Sequence, residues 1–226
     1  MDSDSAIQYQ GRQARRQGSE QRRKAILEAA LRIIVREGIR NVRHRAVAKE
    51  ADVPLSATTY YLKDISDLIT DAFTLFVEQA MNEVIGPFRD QVFAMLDGMN
   101  PEAFADPAAR ENMVNTIADM TVAFIAGEVE NKRDHLVAEQ AFMHEAVLDE
   151  RLRELAQVYN DQQIEVLRLA CEKLGTPNPG HDAEMIMAIF YRTEYQMLIA
   201  NGQKDRDEIR DRLRHGLGLM VGRGKA

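Results

Sequence analysis

The stretch RRKAILEAALRIIVREGIRNVRHRAVAKEADVPLSATTYYLKDISDLITDAF, residues 22–73, decides the fold. Ile26, Ala29, Ala30, Ile33 and Ile34 recur at helical spacing and form one apolar stripe. That stripe predicts a helix from Ser19, an N-cap residue with Glu20 in the first turn, to Gly38, a C-terminal stop. A short helix is expected over 44–51, with Val47 and Ala48 turned inward. Asp52-Val53-Pro54 breaks it, because Pro54 lacks an N–H and biases Val53 away from helix. Another short helix follows over 55–62. Two short helices across a tight turn, braced by a longer one, have the layout of a helix-turn-helix unit.

Outward from this core the chain stays helical. Asp64 is placed to N-cap a helix over 65–85, whose apolar face is Leu68, Ile69, Ala72, Phe73, Phe76, Val77 and Ala80, and Gly86-Pro87 is expected to end it. Further helices are expected near 88–96, 107–129, 132–147, 149–174, 182–201 and 205–221, with breaks at 97–101, 175–180 and 201–202. No segment reads as a strand. The expected fold is all-α: a helix-turn-helix domain over 19–64, then a larger helical domain over 65–226. Residues 1–18 have no apolar periodicity and are expected to be a flexible basic arm. Its Arg12, Arg15 and Arg16 suit a minor groove, or simply a solvated tail.

The net charge of −7 conceals a gradient. Residues 1–64 hold 13 Lys and Arg against 8 Asp and Glu, whereas 65–226 hold 16 against 28. A basic head on an acidic body is the asymmetry expected where one end meets a polyanion, although solvated charges also cluster by chance. The 226 residues, 45% hydrophobic, can bury a real core. No apolar run approaches the roughly 20 residues of a membrane span, and no signal peptide is visible. The single Cys171 excludes an intramolecular disulfide framework and a zinc site built on several thiolates. A cytoplasmic protein without cofactor or metal is expected.

The ordered features Ile26…Ala29-Ala30 before Glu37-Gly38, Val47-Ala48…Ala51-Asp52-Val53, Thr59-Tyr60-Tyr61-Leu62 and Asp67-Leu68 resemble the TetR family of bacterial transcriptional regulators. The resemblance lies within 22–73; beyond it only the all-helical architecture matches. Three positions depart from the family's pattern. Thr59 and Leu62 stand where the family usually has a tyrosine and a closing aromatic, and Ile65 stands where it often has a phosphate-contacting lysine. Tyr60, Tyr61 and Lys63 lie nearby to take over those contacts.

The second short helix is the candidate recognition helix. Leu55, Ser56, Ala57, Thr58 and Thr59 are small or polar enough to admit a major groove: hydroxyls reach base edges or phosphates, and an alanine methyl packs on a thymine methyl. Tyr60 and Tyr61 offer phenols to phosphate, with one of the two expected to be partly core. Arg43, His44 and Arg45 crowd the start of the preceding helix, where cations oppose the helix dipole. Phosphate is a natural counter-ion there; exposed side chains of little consequence are the alternative. Lys63 completes the candidate duplex-binding set.

One such unit reads too few base pairs to select an operator, so binding to double-stranded DNA implies a homodimer. The segment Met185–Tyr191 is apolar nearly all round. Ile186, Ile189, Phe190 and Met197, with Leu167, are the candidate dimer face, internal core being the alternative. The resemblance also implies a pocket for a small-molecule effector of unknown identity. Candidates are Phe73, Phe76, Phe93, Met113, Met120, Phe124, Phe142, Met143, His144 and Tyr159, with Phe88, Asn115 and Glu145 nearby. These residues equally suit plain core; a pocket built from them takes a largely apolar ligand. The reading is therefore a ligand-responsive regulator, with repression the commoner family behaviour. Catalysis has no motif in its favour: the histidines lack metal-ligand spacing, and Cys171 lies among apolar neighbours. The competing class is an all-helical interaction or scaffold protein that does not bind DNA specifically.

Overall fold

The computed structural model describes residues 9–10, 17–98, 106–202 and 205–221. They form helices α1 (Gln17–Glu37), α2 (His44–Glu50), α3 (Leu55–Tyr61), α4 (Ile65–Ala80), α5 (Gly86–Asp97), α6 (Pro107–Asn131), α7 (Arg133–Ala146), α8 (Glu150–Lys173), α9 (Pro179–Ile199) and α10 (Arg206–Val221). A 3-10 turn, Ile39–Asn41, joins α1 to α2. No strand occurs among the described residues. Arg12, Arg15 and Arg16 of the expected arm lie outside the described residues.

The chain divides into two compact units. The first comprises 1–82 and 134–160, and so contains the helix-turn-helix segment 19–64; the second comprises 83–133 and 161–226. Helix α8 contributes its first part to one unit and the remainder to the other.

In the first unit the α1 stripe is the keel. Ile26, Ala29, Ala30, Ile33 and Ile34 are almost completely buried, as are Val47, Leu68 and Ala72. Helix α1 packs on α2, α3 and α4. Full burial of each isoleucine contributes about 1.5–3 kcal/mol relative to exposure, so the stripe alone accounts for much of this small core. The turn after α2 is a Schellman motif: Val53 N–H donates to the Ala48 carbonyl at 3.0 Å and Asp52 N–H to that of Lys49 at 3.3 Å. Asp52 supplies the left-handed residue, at φ 52°. This motif sets the direction in which α3 leaves α2. Asp64 caps α4 as expected, accepting from Asp67 N–H at 2.7 Å.

Three local expectations are corrected. Ser19 does not cap α1, which starts at Gln17; its hydroxyl instead meets the Tyr61 hydroxyl at 2.8 Å. Gly86-Pro87 does not end a helix. The π turn Met81–Ile85 follows α4 without a break, and α5 begins at Gly86. The turn's wider hydrogen-bond register accommodates the missing Pro87 N–H and the bulk of the proline ring, which would break a regular α-helix. Helix α9 starts at Pro179, inside the expected 175–180 break, because proline at a first helical position forfeits no hydrogen bond.

Tyr9 and Gln10, within the expected arm, are held against this unit. The Tyr9 hydroxyl donates to Glu78 at 2.5 Å, Gln10 N–H donates to Asp71 at 2.5 Å, and the Arg23 guanidinium lies 4.0 Å from the centre of the Tyr9 ring. Burial and the Glu78 carboxylate push the Tyr9 phenol well above the usual tyrosine range.

The second unit is built from α5, α6, the later part of α8, α9 and α10. Helix α10 packs on α6 and α9, burying Ile209, Leu213, Leu217, Met220 and Val221. Schellman ends recur after α8, at Gly175 (φ 67°), and after α9, at Asn201 (φ 50°). No helix among the described residues is long and apolar enough to cross a membrane.

Candidate nucleic-acid interface and effector cavity

Helix α3 presents two unlike faces. Thr58, Tyr61 and Leu62 are buried, and the Thr58 hydroxyl donates to the Leu55 carbonyl at 2.8 Å. Leu55, Ser56, Thr59 and Tyr60 are exposed and form one strip, with Ala57 half-buried beside it. Lys63 is exposed just beyond the helix. Tyr60, 53% exposed, meets the buried Tyr61 edge-on at 5.1 Å. The tyrosine expected to be core is therefore Tyr61, fixed by its contact with Ser19, and Tyr60 lies on the exposed face. Thr58 and Tyr61 serve the packing that orients the strip.

Arg43 and Arg45 are exposed at the start of α2. Arg43 donates back to the carbonyls of Arg40 and Val42, at 2.7 and 3.0 Å. His44 differs: both its ring nitrogens are buried and meet no hydrogen-bond partner among the described residues. Arg43 and Arg45 at the start of α2 and Lys63 after α3 are exposed cations near this strip in sequence, of the kind that phosphate contacts beside a groove-entering helix require.

The candidate effector residues fall into two clusters. In the first unit Phe73 stacks on Phe142 at 4.4 Å, and Phe76 lies 4.4 Å from His135 and edge-on to Tyr159 at 5.9 Å. These four candidate side chains are at most 2% exposed and fill their own space. Met143 is half-buried and His144 exposed. In the second unit Phe124 stacks on Phe88 at 4.1 Å, and both meet Phe190 at about 6.3–6.4 Å. Met113 is buried, Met120 half-buried, and Phe93 half-buried under the Lys173 ammonium at 5.5 Å.

An almost wholly apolar cavity of about 50 Å³ opens in the second unit, lined by Phe88, Phe190, Leu213, Thr121 and Cys171 among others. Leu167, Ile186 and Ile189 line it too, so four candidate dimer-face residues, with Phe190, turn inward. The fifth, Met197, is 1% exposed. The outer face of α9 is instead Met185, Ala188, Arg192, Tyr195 and Ile199, all exposed. Its alternating three- and four-residue spacing is that of a packing seam. That spacing was present in the sequence, but a helix apolar on nearly every side hides which face points out.

Among the described residues no group of His, Cys, Asp and Glu is arranged to hold a metal ion.

No family model matches the chain, and no curated protein matches it. Solved structures do. The chain shares its fold with solved structures of TetR-family transcriptional regulators. A TetR-family member from Streptomyces coelicolor A3 is 25% identical, with a TM-score of 0.60 over 86% of this chain and 97% of that one. The multidrug binding protein EbrR, in complex with proflavin, is also 25% identical, with a TM-score of 0.55 over 86% and 99%. A TetR-family regulator from Mesorhizobium loti shares only 12% identity and shows the fold alone, with a TM-score of 0.67 over 93% and 98%.

Proposed function

We propose that the chain is a ligand-responsive repressor that binds a palindromic operator as a homodimer. The observation that carries this reading is the α3 strip Leu55, Ser56, Thr59 and Tyr60, exposed on a helix whose other side is locked by Thr58 and Tyr61. Major-groove recognition requires such a ridge, and Arg43, Arg45 and Lys63 supply flanking phosphate contacts. Two-fold pairing places two such ridges about 34 Å apart, in successive grooves. The exposed α9 seam Met185–Ile199 supports the pairing, because it leaves large apolar side chains in water: Ile199 is 69% exposed and Met185 52%.

The effector enters the second unit beside Phe88, Phe124 and Phe190. The EbrR complexes with proflavin and ethidium, both planar aromatic cations, support an aromatic ligand. A void of about 50 Å³ is water-sized, so such a ligand must displace side chains. Helix α5, which carries Phe88, continues through the π turn into α4 and on, through Lys63-Asp64, to α3. Displacement on α5 is thereby passed along the chain to the recognition helix. The coupling needed is about 1–3 kcal/mol.

The test is anisotropy titration of the duplex flanking the chain's own gene, at several salt concentrations, with and without proflavin. A regulator shows steep log–log salt dependence and preference for an inverted repeat. Equal, weak binding to every duplex defeats the reading and favours a scaffold protein.

A further inference from the structure

The first unit holds a second recess, of about 430 Å³, away from the aromatic cluster. Its walls come from distant parts of the sequence. Arg40 and Arg43 stand on the segment between α1 and α2, Glu145 on the last turn of α7 and Asp149 directly before α8; Ile69 and Leu152 supply apolar lining. Two cations and two carboxylates thus share one recess, yet no ion pair within 4 Å joins them among the described residues. The Arg40 guanidinium and the Glu145 carboxylate make no hydrogen bond there either. Asp149 caps α8, accepting from Arg151 N–H at 2.9 Å through one oxygen; its second oxygen makes none among the described residues.

Opposite charges that share a recess without neutralising each other are matched by a ligand carrying both signs. The geometry points to a binding site for a short aliphatic zwitterion of the amino-acid class. Its carboxylate meets Arg40 and Arg43, its ammonium meets Glu145 and Asp149, and its carbon chain covers Ile69 and Leu152. A volume of 430 Å³ lies within the range of small-molecule sites. A purely anionic ligand would leave the two carboxylates facing it, and a purely cationic one the two arginines. Arg43 is shared with the proposed DNA edge, so a bound carboxylate competes with phosphate for it. That consequence rests on the proposed function; the site itself does not.

Calorimetric titration of the full chain with 6-aminohexanoate, without DNA, tests the site, with hexanoate and hexylamine as single-ended controls. One saturable site per chain is expected, with each control, and the Arg40→Gln and Glu145→Gln variants, binding about tenfold or more weakly. Both positions are at least partly solvent-exposed, and unchanged melting temperatures verify that the variants fold. Absence of saturable binding up to about 10 mM, or hexanoate binding equally well with Glu145→Gln without effect, overturns the proposal. In a second arm, saturating 6-aminohexanoate raises the Kd for duplex about fivefold or more. An unchanged Kd in a chain that binds both ligand and duplex overturns the exchange at Arg43. A chain that binds 6-aminohexanoate but no duplex sinks the regulator reading and leaves the site standing.

Discussion

Arg23 donates to Asp71 across 2.7 Å, with both side chains nearly inaccessible to solvent, and so ties α1 to α4 beneath Tyr9. Without Asp71, the buried Arg23 keeps only the exposed Glu20 carboxylate, at 3.5 Å. Asp71→Ala is expected to cost about 3–5 kcal/mol. Tyr9→Ala opens the pair to water and costs less, about 1 kcal/mol. Urea unfolding of the variants checks both values; equal costs would contradict the covering role of Tyr9.

The two faces of α3 predict a division of phenotype. Lys63→Gln is expected to weaken all duplexes alike and to lower the salt slope by about 1. Ser56→Ala and Thr59→Ala are expected to relax preference for the palindrome by about 1–3 kcal/mol where a base contact is lost. Thr58→Ala, on the buried face, lowers the melting temperature instead. Anisotropy with matched and mismatched duplexes, alongside thermal melts, separates these outcomes.

The exposed α9 seam predicts that Ile199→Arg shifts the chain toward monomer, whereas Met197→Ala, behind it, costs about 2–5 kcal/mol of stability. Sedimentation at micromolar concentration reads the first and urea unfolding the second. A monomeric parent chain would remove the basis for a two-fold operator.

Glu128 is buried, and its Oε2 has no partner among the described residues. Burial raises its pKa above the ordinary carboxylate value, and Lys132, at 3.6 Å, offsets this only in part. Between the unfolded and the raised folded pKa, the folded state keeps a proton that the unfolded state has lost. Stability therefore falls as pH rises through that interval. Glu128→Gln is expected to flatten this slope and to stabilise the chain at neutral pH by up to about 1 kcal/mol. Thermal melts across the acid range test the sign.

Cys171 lines the apolar cavity with no exposed surface, and burial pushes its thiol up to about 11. The native thiol is therefore expected to resist aromatic disulfide reagents at neutral pH and to react at once in denaturant. An apolar ligand that opens the cavity should change the native rate; proflavin leaving that rate unchanged would argue against its entry there.

Ile26 to Ile34, the Asp52-Val53-Pro54 break and the Asp64 cap were legible because each is decided by residues within a few positions: apolar periodicity, a missing N–H, a side-chain acceptor. Those local terms determined the all-helical fold and the short helix α3. Which side of α3 and α9 meets water was decided only by tertiary packing. Tyr60 and Tyr61, or Ile186 and Met185, are chemically close neighbours, and burial depends on what a distant helix brings against each. The π turn before Gly86-Pro87 and the recess joining Arg40 to Glu145 belong to the same class, because their energetics depend on backbone and charges brought together across the folded chain.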